Sequence, residues 1–238
     1  MKRLVAGALQ LGIDLSPSQV DQFRRYRDEL LAWNRKMNLT SITKPDDVET
    51  LHFLDSLSIV EGMPDGFERA GKLVDVGTGG GFPGIPLKLA HPELHLTLIE
   101  ATAKKARFLT YLIGELGLAS VEVVCQRAED AARDVSHREY YGTVVARAVA
   151  PMATLTELTL PFCAVGGRVV AQKSGAIDEE LARAETAITS LGGRLLERMQ
   201  VSLPELEADR CLVVLEKIAP TPENYPRRAG VPAKRPLS

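Results

Sequence analysis

The sequence is poor in cysteine and contains no long apolar run, and both features narrow the possible protein classes. Only three cysteines occur, Cys125, Cys163 and Cys211, and they lie far apart in the chain. This spacing argues against a disulfide framework and against a CxxC metal site, and it fits a reducing cytoplasm. No apolar run approaches the roughly 20 residues that a membrane-spanning helix needs. The N-terminus lacks a long apolar core followed by a cleavage site. We therefore expect a cytoplasmic protein with no membrane association and no bound metal.

The chain also lacks a large excess of either charge. Its 29 basic and 31 acidic residues give a formal net charge of -2 at pH 7. This balance excludes a histone-like, uniformly basic nucleic-acid-binding protein, although it leaves room for a local basic face. A length of 238 residues, 45% of them hydrophobic, predicts one full domain with an appendage. We expect a monomer.

Helical periods dominate the first part of the chain, residues 1–70. A short helix is predicted from Arg3 to Leu11. A longer one opens at Ser16, where Pro17 and Gln19 complete the signature of a capping box. Its apolar stripe consists of Phe23, Tyr26, Leu30, Trp33 and Met37. A third helix is predicted from about Asp46 to Val60. These elements predict a small N-terminal helical cap.

Strands and helices alternate over residues 71–217. Strands are predicted at 73–76, 94–99, 121–124, 143–146 and 168–171, with helices between them. Residues 194–201 and 211–215 are typical of a closing antiparallel pair. Such alternation predicts an α/β fold with a mostly parallel sheet, helices on both faces and an antiparallel last strand. Residues 218–238 are rich in proline and basic side chains, which predicts a flexible tail.

The most informative stretch is the glycine-rich turn after the first strand, Val74-Asp75-Val76-Gly77-Thr78-Gly79-Gly80-Gly81-Phe82-Pro83-Gly84. Its glycines would let ligand atoms approach the backbone without meeting a Cβ. In a doubly wound sheet this first crossover lies at the carboxyl edge, where ligands bind. About 20 residues further on, Glu100 ends the second strand, where a carboxylate can accept both hydroxyls of a ribose. Together these features predict a nucleoside-containing cofactor.

Two cofactors compete for this turn. Gly79-x-Gly81-x-x-Gly84 matches the dinucleotide fingerprint, so an NAD-dependent oxidoreductase is one alternative. Pro83, however, stands where that fingerprint should offer a free N–H to pyrophosphate. Asp75 places a carboxylate just before the turn, which would repel a pyrophosphate and attract an ammonium or a sulfonium. S-adenosylmethionine carries both of these groups and a ribose, so the charges favour methyl transfer over hydride transfer.

Several motifs, which cover almost the whole chain in order, resemble a known family. They are Trp33-Asn34-x-x-x-Asn38-Leu39-Thr40-Ser41, His52-x-x-Asp55-Ser56-Leu57, residues 75–86, Arg107-Phe108-Leu109, Arg147-Ala148 and Tyr225-Pro226-Arg227-Arg228-Ala229-Gly230. These motifs resemble the RsmG (GidB) family, bacterial methyltransferases that modify a guanine N7 in the decoding region of 16S ribosomal RNA. The tail is similar to that of the Gram-positive-type members.

The resemblance implies a class I methyltransferase fold, which is Rossmann-like, with S-adenosylmethionine as cofactor and 16S rRNA or the small ribosomal subunit as partner. The cofactor contacts that it implies are Gly77, Gly79, Gly81, Phe82, Glu100, Ala101, Thr102, Ala128, Glu129 and Arg147. The charge argument above adds Asp75. A non-catalytic RNA-binding or assembly protein that senses the cofactor remains a second alternative, because it would carry the same residues.

Guanine N7 carries a lone pair and no proton, so its methylation needs no general base and is a task of positioning. Arg147, Asn38 and Thr40 are our candidates for that task. For Arg147 the alternative is an ion pair at the rim of the sheet. Asn38, Thr40 and Ser41 are expected to line the mouth of the cleft and hold the guanine edge. The alternative for these residues is capping and loop closure at a helix end.

Other polar residues have simpler interpretations. His52 and Asp55 are expected to form a local hydrogen-bonded pair that packs the cap onto the sheet. Cys163 lies in a stretch predicted to be helical and apolar, so we expect a buried small side chain and no nucleophile. The candidates for RNA contact are the tail residues Arg227 and Arg228, the cluster Lys104, Lys105 and Arg107, and the N-terminal residues Arg24, Arg25 and Arg27.

Overall fold

The structure is a computed structural model, and it describes residues 1–63, 66, 71–175, 177–204 and 210–237. The predicted boundary between residues 70 and 71 adjoins residues outside these ranges. No helix within the described ranges is both long and apolar enough to cross a membrane.

The N-terminal cap consists of α1 (Lys2–Gln10), α2 (Pro17–Asn34) and a continuous helical run from Pro45 to Gly62. That run changes pitch along its length: α3 (Pro45–Val48), a π-helical segment (Glu49–Leu54), α4 (Asp55–Leu57) and a 3₁₀ turn (Ser58–Gly62).

The start of α2 confirms the predicted capping box. The Ser16 hydroxyl accepts the N–H of Gln19, and the Gln19 side chain accepts the N–H of Ser16. The Gln19 amide also donates to the carbonyl oxygens of Leu89 and Ala90, which ties the cap to the main domain. The helix ends at Asn34, so Met37 lies beyond it, contrary to the predicted stripe.

A seven-stranded sheet forms the main domain, with strand order β3-β2-β1-β4-β5-β7-β6. Its strands are β1 (Lys72–Val76), β2 (His95–Ile99), β3 (Val121–Val124), β4 (Tyr141–Arg147), β5 (Cys163–Ser174), β6 (Gly193–Val201) and β7 (Arg210–Lys217). The first five strands pair in parallel, and β7 is antiparallel to both β5 and β6. This confirms the predicted mostly parallel sheet with an antiparallel last strand.

The other α-helices among the described residues are α5 (Gly84–Ala90), α6 (Ala103–Leu116), α7 (Ala128–Ala131), α8 (Met152–Thr159), α9 (Asp178–Ser190) and α10 (Val231–Lys234), and a 3₁₀ turn (Leu160–Phe162) follows α8. Two cores lie on opposite faces of the sheet, because strand side chains alternate between the faces. Leu73 joins the core shared with the cap, α5 and α6, whereas Val74 and Val76 join the core shared with α8 and α9.

Two predictions are corrected by the structure. Cys163 is buried as expected, but it begins strand β5 and does not lie in a helix. Residues 218–237 were expected to be a flexible extension, yet they pack against the main domain. For example, the Arg138 side chain donates to the carbonyl oxygens of Tyr225 and Thr221, and the Thr154 hydroxyl donates to that of Pro232. The prolines restrict this segment, and its contacts with the main domain hold it in place.

Candidate active site

Three glycines after β1 adopt the left-handed backbone conformation. The φ angles of Gly77, Gly79 and Gly81 are 74°, 60° and 102°. A Cβ on Gly77 would lie 2.9 Å from a methyl group of Val149, and one on Gly81 would lie 2.6 Å from the Tyr26 hydroxyl. These close approaches and positive φ angles require glycine. At Gly79 the space is open to a ligand, since the nearest atom, the Gly77 oxygen, would be 4.0 Å away.

Residues 77–81 form the glycine bend, and Tyr26 of the cap supports it. The sequence did not reveal this role. Its hydroxyl donates to the carbonyl oxygen of Gly80 at 2.6 Å. Burial raises the pKa of Tyr26 well above its usual value, so the hydroxyl stays protonated and remains a donor. The only sequence signal for Tyr26 was its place in the apolar stripe of α2, which indicates burial but no hydrogen-bond partner.

Asp75 lies in β1, just before the glycine-rich turn. The residue is fully buried, and its carboxylate accepts the N–H of Gly84 at 2.8 Å, at the first residue of α5. Burial raises the pKa of Asp75 to about 7. This contact gives Asp75 a part in shaping the turn. The attraction of a cationic ligand, which the sequence suggested, stays a prediction.

Glu100 connects the ends of β1 and β2. Its two carboxylate oxygens accept the N–H of Gly79 at 3.0 Å and that of Thr102 at 2.7 Å. Each oxygen has a second lone pair, so the carboxylate can still accept ligand hydroxyls. Ala101 and Thr102 are exposed beside it. The predicted ribose site therefore lies within hydrogen-bonding distance of the glycine bend.

Phe82, His52 and Arg147 form a stack at the end of the bend. The His52 and Phe82 rings are 4.2 Å apart and nearly parallel, and the Arg147 guanidinium lies 4.9 Å from the Phe82 ring centre. Phe82 is 5% exposed and packs between the cap and the bend. Arg147 also donates to the Leu51 carbonyl oxygen at 3.2 Å, so it ties β4 to the cap.

His52 is neutral, and its tautomer follows from its partners. Burial, followed by the charge of Arg147, lowers the pKa of His52 to about 3. Arginine only donates, so His52 Nδ1 accepts from Arg147 at 2.9 Å. The proton is therefore assigned to Nε2, which donates to the Thr40 hydroxyl at 2.7 Å. Thr40 Oγ1 also accepts the N–H of Ile42 at 3.0 Å.

Asp55 is buried between two arginines. Its oxygens lie 2.9 Å from Arg147 Nη1 and 2.8 Å from Arg210 Nε. The Gln172 amide donates to the same carboxylate at 2.9 Å. Asp55 and His52 thus meet through Arg147, and the predicted direct pair between them is replaced by this network. Neither Arg210 nor Gln172 was a sequence candidate, because each is more than 100 residues from Asp55.

A cleft of about 440 Å³ opens above this network, at the carboxyl ends of β4 and β5. Its lining residues are Ile42, Leu51, His52, Asp55, Arg147, Ala148, Gln172, Lys173, Ser174, Glu180 and Arg210. Arg147 joins the cleft to the glycine bend through Phe82. Of the predicted guanine-holding residues, Thr40 contacts the lining residue His52, whereas Asn38 is exposed. Asn34 closes the intervening loop by accepting the N–H groups of Leu39 and Thr40.

Comparison with known proteins decides the family. The model of the GidB family, described as rRNA small subunit methyltransferase G, matches residues 19–208. Proteins named ribosomal RNA small subunit methyltransferase G from Dehalococcoides mccartyi (strain CBDB1) and Roseiflexus castenholzii are 54% and 49% identical over 237 residues, 100% of each chain. The chain belongs to the GidB family.

Solved structures share the fold of this GidB chain. TrmN from Thermus thermophilus is 17% identical with a TM-score of 0.53, covering 69% of this chain and 48% of that one. A point mutant of MtNAS in complex with S-adenosylmethionine is 14% identical with a TM-score of 0.55, and the match covers 91% of this chain and 77% of that one. Such low identities indicate the fold alone. Membership of GidB confirms the predicted family, the methyltransferase class and S-adenosylmethionine as cofactor, and it gives no support to an oxidoreductase.

In this GidB protein the tail reaches α7, which carries two of the predicted cofactor contacts. Ala128 and Glu129 begin α7, which follows β3, and the Glu129 carboxylate accepts the N–H of Gly230 at 2.8 Å. Arg227 forms a bidentate ion pair with Glu157, which is fully buried in α8. The Arg227 guanidinium is therefore engaged within the protein, whereas Arg228 is exposed.

The other predicted RNA contacts divide into paired and exposed groups. Arg24 pairs with Asp21 and Arg27 with Glu49, while Arg25 donates to the Glu115 carbonyl oxygen. On α6, Lys104 and Arg107 are exposed and Lys105 is half-buried. RNA contact by the α6 cluster and by Arg228 stays a prediction, which is supported only by the exposure of these side chains.

Proposed function

We propose that the protein transfers the methyl group of S-adenosylmethionine to N7 of a guanine in 16S rRNA of the small ribosomal subunit, acting as a cytoplasmic monomer without a metal. Family membership supports the small-subunit rRNA substrate. The choice of N7 is supported by the chemistry of the cleft, in which each described lining group that could accept a proton is already engaged.

The glycine bend fits the cofactor, because the space beside Gly79 is open and ligand atoms can approach the backbone there. Bound S-adenosylmethionine supplies an electrophilic methyl group. The Glu100 carboxylate can hold the ribose hydroxyls, and the backbone of Ala128 and Glu129 can hold the adenine. Arg147 lies between the bend and the cleft and fixes their relative position through Phe82 and Asp55.

The described residues that line the cleft include three groups that could act as a base, and all three have partners. His52 accepts from Arg147 and donates to Thr40, and its lowered pKa makes it a weak base. Asp55 is held by two arginines, and Glu180 pairs with Lys173 at 2.6 Å. This arrangement suits N7, which has no proton to lose, better than the guanine N1 or amino group, whose protons must leave. It is the observation on which the N7 proposal rests.

A transfer assay with tritiated S-adenosylmethionine tests this function. The acceptor is the small subunit purified from a strain that lacks the gene, and the product is then reduced with borohydride and cleaved with aniline, which breaks RNA at N7-methylguanine. We expect incorporation of about one methyl group per subunit and scission at a single guanine. Absence of incorporation would reject methyl transfer, and incorporation without scission would reject N7.

A further inference from the structure

A second, smaller pocket lies between the end of α2 and the first turns of α6, apart from the cleft. It has a volume of about 300 Å³ and is lined by Trp33, Lys36, Met37, Lys104 and Arg107. Two half-buried apolar side chains, Trp33 and Met37, and three exposed cationic ones share this lining. The pocket therefore combines an aromatic surface with positive charge, and none of its described lining residues is acidic.

Trp33 is held in place by other aromatic rings. Its ring centre lies 5.5 Å from that of Phe108, which is fully buried, and 5.1 Å from that of Tyr111. The Tyr111 hydroxyl donates to Glu29 at 3.1 Å. These contacts fix the indole on the core, so a ligand that stacks on it would not have to order a mobile side chain.

The three cations of the pocket differ from several surface arginines in having no carboxylate partner among the described residues. Elsewhere the exposed arginines Arg183, Arg194 and Arg198 each pair with an aspartate or glutamate. Within the described ranges, no carboxylate forms an ion pair with Lys36, Lys104 or Arg107. Three uncompensated positive charges around one pocket, in a chain with a net charge of -2, favour an anionic ligand.

The pocket adjoins the catalytic edge of the sheet. Helix α6 begins at Ala103, three residues after Glu100, and with a rise of 1.5 Å per residue Arg107 lies about 6 Å along its axis. On the other side, Asn34 follows Trp33 directly and anchors the loop that leads to Thr40, at the cleft. A polyanion bound at the pocket would thus lie next to both the cofactor site and the cleft.

We propose that this pocket binds an unpaired nucleotide of the RNA substrate, with its base against Trp33 and its flanking phosphates on Lys36, Lys104 and Arg107. Single-stranded RNA is recognised in general by aromatic stacking and by cations that follow the backbone. The identity of the RNA in this inference rests on the proposed function. The chemistry of the pocket does not depend on it.

Trp33 is the only tryptophan of the chain, so its fluorescence reports directly on this pocket. The probe is a single-stranded mixed-sequence 12-mer oligoribonucleotide, titrated into the full-length protein while binding is followed independently by a filter assay. We expect saturable quenching that matches the filter curve and weakens with salt. The triple variant Lys36→Gln, Lys104→Gln, Arg107→Gln should bind at least about tenfold more weakly and show a shallower salt dependence.

The matched control removes the same number of charges from a distant surface, as Arg183→Gln, Arg194→Gln, Arg198→Gln, and should leave quenching unchanged. Trp33→Leu should raise the KM for subunits about tenfold, whereas Trp33→Phe should restore most of the affinity, because a ring is kept. All variants should bind S-adenosylmethionine like wild type, which shows that they are folded.

The proposal would be overturned if RNA bound in the filter assay without quenching Trp33, or if the triple variant bound RNA as tightly as wild type. A wild-type protein that bound RNA at Trp33 but failed to methylate subunits would instead reject the proposed function and leave the pocket standing. The two ideas can thus fail separately.

Discussion

The ion pair between Arg227 and Glu157 gives a quantitative prediction about the tail. Glu157 is fully buried, and it accepts four hydrogen bonds from Arg227: one from the backbone N–H at 2.7 Å and three from the guanidinium at 2.6 to 3.1 Å. Arg227→Met removes the three guanidinium bonds and leaves the carboxylate without a counter-charge. Removing one partner of a buried pair typically costs about 3–5 kcal/mol.

The Arg227 side chain is 24% exposed, so water can partly replace it and the lower end of that range applies. We expect a loss of about 3 kcal/mol in the free energy of unfolding. For a chain of this size this corresponds to a fall in Tm of roughly 6–12 °C. Urea denaturation followed by circular dichroism measures the free energy, and differential scanning calorimetry measures Tm.

Arg228→Met is the matched control, because Arg228 is the next residue and its side chain is exposed. This substitution should leave the unfolding free energy equal to that of the wild type within experimental error. The double variant Glu157→Gln, Arg227→Met should recover part of the loss, since it buries no unpaired charge. An Arg227→Met protein as stable as the control would refute the reasoning and would mean that the tail is not anchored by this pair.

Three further predictions concern the site and its surroundings. As the pH rises from 4 to 7, the wild type should lose up to about 4 kcal/mol of unfolding free energy relative to Asp75→Asn. The reason is that Asp75, with a pKa of about 7, keeps its proton in the folded protein, whereas the unfolded chain releases it. Urea denaturation of both proteins at several pH values measures this difference. Tyr26→Phe removes the hydroxyl that supports Gly80 and should weaken S-adenosylmethionine binding about fivefold in calorimetry, whereas unchanged affinity would deny Tyr26 that role. Cys163→Ala should retain methyl transfer, because burial raises the pKa of this thiol to about 12 and leaves no thiolate; a folded but inactive variant would contradict this.

Local signals in the sequence predicted much of the fold. The capping box at Ser16 involves residues three positions apart, and the glycine bend is formed by consecutive residues. Both could therefore be predicted from the sequence. The alternation of strands and helices likewise predicted a parallel sheet. These features were predictable because their causes lie within a few residues of one another.

The side-chain network could not be read in this way, because its members are distant in sequence. Arg210 reaches Asp55 across 155 residues, and Tyr26 reaches Gly80 across 54. Asp75 was placed correctly beside the bend, but only the folded chain directs its carboxylate to the N–H of Gly84. The composition of the tail predicted mobility, whereas the partner of Arg227 lies 70 residues away and left no local signal.

The most direct test of the account is a crystal structure of the protein with S-adenosylmethionine. We expect the cofactor in the bend from Gly77 to Gly81, with its ribose on Glu100 and its methyl group facing the cleft beside Arg147. A ligand bound elsewhere, or one in the bend whose methyl group is turned away from the cleft, would contradict the account.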